Sequence, residues 1–437
     1  MTLRPYQSTA VDAVLSAIDN RPVLVAPTGA GKTRMAVEIA HRHGGRVVFV
    51  SHRHEHLEQA TAAGLIGETR TVFKRTRLDA CDLLIIDECH HAAARSYEKL
   101  EARHIVGLTA TPFRLDGRPL TRFGEIIVAA RPRELVQQGY LIEPRVYAYN
   151  PPSMKGVHSR AGEYVTSESY AVMAGIAGSV VGEWLRLVGS DLLARRRTLV
   201  FAVNNVHAFD LAARFLAAGV RAVAVTSDTP RAERAQAFTD LQAGKLDVVA
   251  NCMIATEGLD IPALDVVSIA RPTKSLSLHL QMVGRVMRTS TDTGKTGAIV
   301  LDHAGNHARL GDALQHIDYS LDGIVSPQPA KWHGLWRCPK CFTLNKPSAK
   351  VCVCGAEKPV PKIPKEQTAA TLTEGFKHVG MACDEKTYRS LLLVARRKGY
   401  KDGWAGYQYK ARNGVWPDWS MQQRVRSSLT SQAAPTS

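Results

Sequence analysis

The sequence predicts an α/β protein made of two tandem parallel-sheet units, followed by a small cysteine-rich module and a basic helical tail. Three observations carry this expectation. Short apolar runs alternate with segments of helical period over roughly the first 300 residues, the pattern of parallel strands joined by crossover helices. Four of the eight cysteines fall within 17 residues, Cys338 to Cys354. The positive charge gathers at the C-terminus. At 437 residues the chain has room for two or three domains, each burying its own core.

In the first unit the strand-like runs are residues 22–26, 46–50, 82–87 and 104–110. Open parallel sheets bind ligands at the carboxyl ends of their strands, so the residues after each run are read for chemistry. PVLVA is followed by PTGAGKT and a helical segment. Gly29 and Gly31 let the backbone of Pro27, Thr28 and Ala30 curl so that amides and a helix N-terminus face a triphosphate. Lys32 would neutralise its outer oxygens, and Thr33 would hold a magnesium ion. Ala26 stands where the usual pattern begins with glycine. The run DLLII leads into Asp87, Glu88, Cys89 and His90, with Asp87 55 residues after Lys32. Acids just past a buried strand have few structural uses. Asp87 can hold magnesium through water, and Glu88 can orient and deprotonate a water attacking a γ-phosphate.

A second series begins near residue 144, with runs at 197–203, 221–227, 246–252, 264–270 and 297–303. The joint falls between 130 and 145, which predicts units at 1–135 and 136–324. QMVGRVMR places Gln281, Arg285 and Arg288 on one helical face, with Gly284 allowing close approach. Arginines from an opposite lobe are a common source of transition-state charge in phosphoryl transfer.

Taken together, APTGAGKT and DECH resemble motifs I and II of the superfamily 2 helicases of the DExH (DEAD/DEAH box) type. Further matches extend over about the first 305 residues. LRPYQ resembles the adenine-sensing segment, which implies that Gln7 bonds the base. VFVSHRHEHLEQA resembles motif Ia, which implies Ser51 and His52 near a nucleic-acid backbone. GLTATPFR resembles motif III, with Thr109 and Thr111 as coupling residues around Ala110. NCMIATEGLDIP resembles motif V, with Thr256, Glu257, Gly258 and Asp260, the last two at the nucleotide. QMVGRVMR resembles motif VI, which casts Arg285 and Arg288 as arginine fingers. The segments TSDTPRAERAQAF, RPTKSLSLHLQMVGRVMR and LDHAGNH are similar to bacterial RadD-like and phage-encoded helicases. The resemblance implies two RecA-like lobes around an ATP cleft. It also implies a magnesium- and ATP-dependent DNA helicase or translocase in repair, recombination or replication. An RNA helicase, or an ATP-driven clamp that recruits partners without separating strands, stays open as an alternative.

Cys338, Cys341, Cys352 and Cys354 form CxxC, ten residues, then CxC, a thiolate set for tetrahedral zinc over 332–357. The second pair is one residue short of the usual knuckle. Trp336 and Asn345 resemble those of a RanBP2-type finger, which implies RNA or protein binding; a purely structural ribbon is the alternative. Residues 366–426 read as a basic helical domain for nucleic acid or a partner, with Trp404, Trp416 and Trp419 as base-stacking groups or core, and 427–437 as a disordered tail. From Val325 onward 19 Lys and Arg oppose 7 acids, so +12 of the net +16 lies there and suggests a polyanion partner. No apolar run approaches the roughly 18 residues of a membrane span, and no secretory leader is visible. A cytoplasmic monomer is expected. His52, His54 and His56 alternate like metal ligands but lack a carboxylate arrangement, Arg195 to Arg197 read as a solvated loop, and Cys89 is no nucleophile.

Overall fold

The computed structural model describes residues 2–52, 54–72, 79–91, 97, 99–114, 116–148, 151–189, 197–253, 261–323, 336–345, 348–358, 385–397, 402, 404–406, 408–409, 421–425 and 429. They divide into two compact units, Met1–Pro359 and Val360–Ser437.

The first unit opens with helix α1 (Pro5–Ser16) and strand β1 (Pro22–Val25), then α2 (Lys32–His43), β2 (Val47–Ser51), α3 (His54–Ala62), β3 (Glu68–Thr71), β4 (Leu83–Asp87), β5 (His104–Thr109) and β6 (Glu125–Val128). The strands form one parallel sheet in the order β3-β2-β4-β5-β1-β6. Both faces are covered, which is why the central strands read as unbroken apolar runs. Leu24, Ile85 and Val106 face one core while Val23, Leu84 and Ile105 face the other. In register, Asp87 pairs with Leu108 and Val25 with Thr109. Three neighbouring strands therefore end level, and the segments that follow them meet.

After α4 (Pro132–Gln137) the second sheet begins with β7 (Pro144–Ala148). A small hairpin, β8 (Ser159–Arg160) and β9 (Glu163–Tyr164), precedes α5 (Thr166–Ala174) and α6 (Ala177–Trp184). The remaining elements are β10 (Thr198–Phe201), α7 (Asn205–Ala217), β11 (Ala222–Val225), α8 (Arg231–Gln242), β12 (Val248–Asn251), β13 (Val266–Ile269), α9 (Leu276–Gly284), β14 (Ala298–Asp302) and α10 (Asn306–Leu310). Their sheet is again parallel, in the order β11-β12-β10-β13-β14-β7. Past α10 the chain returns to the first sheet. Tyr319 and Leu321 pack on its core, Leu120 N donates to Leu321 O at 2.7 Å, and Arg131 Nη1 donates to Ile317 O at 2.9 Å.

The cysteine-rich module holds two short antiparallel strands, β15 (Trp336–Arg337) and β16 (Leu344–Asn345). It leans on β7, the outer strand of the second sheet. Thr343 bridges Tyr147, Ala148 N donates to Phe342 O at 3.3 Å, and the Phe342 ring lies 5.0 Å from the Arg186 guanidinium and 5.1 Å from that of Arg337. An unpaired strand edge invites pairing with other chains, and covering it removes that hazard.

The second compact unit contains α11 (Glu385–Arg397). Tyr388, Leu391, Leu392 and Ala395 recur at helical spacing and form an apolar stripe. That stripe clusters with Ala405, Tyr409, Met421, Val425 and Leu429, and Trp404 packs against it. Trp416 and Trp419 lie outside the described residues. Among the described residues no single helix is long and apolar enough to cross a membrane. One sequence expectation is corrected here: Arg197 is not solvated, because its side chain is only 17% exposed, 3.6 Å from Asp265 Oδ2, and bonded to Gln242 O at 3.0 Å.

Candidate active site

The loop after β1 is fixed from outside itself. Ala26 N bonds Thr109 O at 3.0 Å, tying the loop to β5. Tyr6 Oη and Gln7 Nε2 both donate to Ala30 O, at 2.7 and 2.8 Å, while Gln7 Oε1 accepts from Arg4 N at 2.9 Å. Gly31 caps α2 at φ 83°, and a Cβ there would lie 2.4 Å from Gln7 Nε2. Only glycine fits both the angle and the gap. Ala26 is not among the residues at positive φ, so a methyl group is tolerated where the usual pattern has glycine. Lys32 opens α2 with its ammonium 3.3 Å from Ala26 O.

Asp87 and Glu88 are 8% and 5% exposed. Burial alone would raise the Asp87 carboxyl, but the hydrogen bond and charge of His56 and the charge of Lys32 outweigh it and hold the group below its ordinary value. Glu88 adopts φ 47°, an uncommon backbone for a residue with a side chain. Its Oε2 lies 3.4 Å from both Thr109 Oγ1 and His90 Nδ1, which are themselves 3.1 Å apart. Thr109 Oγ1 is 2.8 Å from Thr111 O, and Thr111 Oγ1 reaches Ser277 Oγ on α9 at 2.5 Å. A chain of polar contacts thus runs from Glu88 into the second lobe.

One cleft of about 870 Å³ gathers Gln7, Thr28, Gly29, Gly31, Lys32, Thr33, Asp87 and Glu88 from the first lobe with Gln281, Arg285 and Arg288 from the second. Gly284 lets α9 come close, since a Cβ there would be 2.6 Å from Thr28 Cβ. Pro27 and Ala30 belong to the same loop, Ala30 fully buried. Thr256, Glu257, Gly258 and Asp260 lie outside the described residues. Ser51 is fully buried and its hydroxyl sits 3.3 Å from His56 Nδ1, so that side chain offers no surface to a strand. His52 is half-buried with its ring 6.4 Å from that of His56. His56 is the residue that sequence reasoning missed: it hydrogen-bonds Asp87 Oδ2. The alternating histidines do not converge as a metal set: the His52 and His56 rings meet edge-on, while His54 turns to Thr71 Oγ1 at 3.2 Å.

The four cysteine sulfurs lie within 4.8 Å of one another, with Cys338 3.5 Å from Cys354 and Cys341 3.5 Å from Cys352. Tetrahedral zinc at about 2.3 Å from each sulfur sets the sulfurs about 3.8 Å apart, so the donor set fits. The short CxC is accommodated by a turn in which Gly355, at φ 82°, donates to Cys352 O at 2.9 Å. Trp336 and Asn345 are buried within the module, bonded to Ala349 O at 2.6 Å and Thr343 O at 3.0 Å.

Comparisons with known proteins place the chain. Residues 1–76 and 65–114 match the family model of the type III restriction enzyme res subunit, and residues 184–290 match the helicase conserved C-terminal domain. The chain belongs to the DExH-type superfamily 2 helicases. As such a helicase it is an ATP-hydrolysing enzyme. It is 29% identical to a 51.5 kDa protein of a Lactococcus phage over 358 residues, covering 76% of this chain and 77% of that one. It is also 29% identical over 375 residues to a protein described as a mitochondrial ATP-dependent helicase of Schizosaccharomyces pombe, and 27% identical over 379 residues to an ATP-dependent helicase of Saccharomyces cerevisiae. Each of these matches covers 74% of this chain, but only 60% and 52% of the two yeast proteins. A fragment described as an HsdR subunit of a type I restriction enzyme from Vibrio vulnificus shares the fold, with a TM-score of 0.55 and 22% identity over 74% of this chain and 67% of that one.

Proposed function

We propose that this helicase is a magnesium-dependent ATPase stimulated by nucleic acid, and that it moves along DNA as a helicase or translocase. The observation that carries the reading is the single cleft in which the phosphate loop and the acids of one lobe face Gln281, Arg285 and Arg288 of the other. DNA is favoured because the family matched by the first lobe is that of a restriction-enzyme subunit.

In this reading the amides of the 27–31 loop and the α2 N-terminus hold the phosphates, with Lys32 on the outer oxygens. Magnesium, when bound, supplies charge neutralisation and orientation at the phosphates. Thr33 and Asp87 would hold it, an all-oxygen set that suits a hard cation. Glu88 orients the attacking water and takes its proton, and Gln7 contributes at the base. Arg285 and Arg288 stabilise charge on the transferring phosphoryl group, so the lobes must be together for hydrolysis. The Thr109–Thr111–Ser277 contacts carry the state of the site to the second lobe. Thr256, Gly258 and Asp260 are assigned to coupling and nucleotide contact, and His52 to the strand, by motif alone. The cysteines are assigned a structural zinc.

Steady-state ATP hydrolysis by wild type and Lys32→Ala, with no polymer, single-stranded, duplex and forked DNA, and RNA, tests the reading. DNA should stimulate the wild type most and Lys32→Ala should be silent. Greater stimulation by RNA would name RNA as the track. No stimulation by any polymer, or an active Lys32→Ala, would overturn the assignment.

A further inference from the structure

His56 is not explained by any role assigned above, yet its place is tightly defined. It stands in the first turn of α3, 8% exposed, and its Nδ1 meets both Asp87 Oδ2 at the end of β4 and, at 3.3 Å, Ser51 Oγ at the end of β2. An ionised carboxylate can only accept, so Nδ1 carries a proton and donates it to Oδ2. The contact is between 9% and 11% exposed side chains, where water competes little for it. His56 itself borders the nucleotide cleft, as do Gln59 and Ala62 farther along the same helix, and Glu58 ion-pairs with Arg231 on α8 of the other lobe. One short helix thus touches the acid, the cleft and the opposite lobe.

Resting on the ATP-site reading, we propose that His56 is the positioning residue of the magnesium site: it fixes Asp87 Oδ2, and so aims the carboxylate at the cation, from a helix that also contacts the second lobe. Carboxylates that serve a metal gain orientation from such outer partners, whose loss typically costs about 10- to 100-fold in metal affinity or activity. The ring does not touch the reacting atoms in this account. It acts through Asp87.

The test uses the full chain and two variants, His56→Leu, which removes the donor, and His56→Asn, which restores an N–H near the position of Nδ1. A fluorescent ADP analogue is titrated with magnesium and again in EDTA, and the magnesium dependence of ATP hydrolysis is measured alongside. For His56→Leu the magnesium concentration giving half-maximal tightening of ADP should rise about tenfold or more, with the EDTA affinity unchanged, and His56→Asn should recover most of the loss. Unchanged magnesium dependence in His56→Leu would overturn the proposal. So would an equal loss in both variants, or a fall in EDTA affinity, since those mark a packing defect in the cleft. A wild type whose ADP affinity ignores magnesium would instead sink the ATP-site reading on which the proposal rests.

Discussion

Two glycines at the cleft make opposite demands on an alanine substitution. At Gly31 the backbone angle of φ 83° and the 2.4 Å approach of Gln7 Nε2 both exclude a side chain. Gln7 cannot swing away without giving up Ala30 O and Arg4 N. Gly31→Ala should therefore destabilise the first lobe by about 2 kcal/mol, seen as a lower urea midpoint, and weaken ADP binding. Gly284 ends a helix in which alanine is intrinsically preferred by about 0.5–1 kcal/mol. The three atoms its added methyl would approach most closely all belong to Thr28 of the other lobe. Gly284→Ala should leave the thermal midpoint within about 2 °C while ATP hydrolysis falls about tenfold, equivalent to 1.4 kcal/mol of lost transition-state stabilisation. The phosphate loop, Asp87 and Glu88 were legible because their chemistry is written in residue type and strand-end position. The His56–Asp87 contact was not, because it depends on α3 starting at His54 and folding over the end of β4.

At the scale of elements, the buried strands β1, β2, β4 and β5 were legible within a residue or so because both faces are covered. The outer strands β3 (ETRT) and β6 (EIIV) were missed. Half-exposed edge strands need few apolar residues, and their pairing is set by β2 and β1 rather than by their own pattern. The cysteine module is the other edge element, and its docking rests on Phe342 and Thr343, which no spacing rule singles out. Its metal assignment makes a local prediction: purified protein should carry about one zinc per chain by elemental analysis, and Cys352→Ser should lose it. Because none of the four cysteines lines the nucleotide cleft, ADP binding by Cys352→Ser should match wild type. Retention of zinc in that variant would count against the four-thiolate site.

On the scale of the whole molecule, the second lobe stores a pH dependence in three buried histidines. Burial pushes His207 and His303 down to about 4 and His279 down to about 3, His279 also feeling the nearby His307. Each has a folded-state pKa below the ordinary value near 6.5, so the unfolded chain binds more protons between those limits. Stability is then fully present above about pH 6.5 and lost as pH falls toward 4. Asp302, held far below the usual carboxylate range by His307 against the opposing effect of burial, adds nothing in that window. Urea unfolding at pH 5 should show about 2 kcal/mol less stability per histidine than at pH 7. His207→Asn, whose Oδ1 falls near the place of Nδ1 and can still accept from Val203 N, should remove about that share of the difference. The return of residues 317–323 to the first sheet was beyond sequence reasoning, since the alternation of Ile317, Tyr319 and Leu321 with polar residues is short and names no partner. That return has a mechanical meaning. One peptide crossing between two bodies is a swivel, free about every axis. Crossings at 129–143 and again at 311–319 define a line, so the lobes are mounted like a door on two pins, and rotation about that line is the freedom the two crossings restrain least.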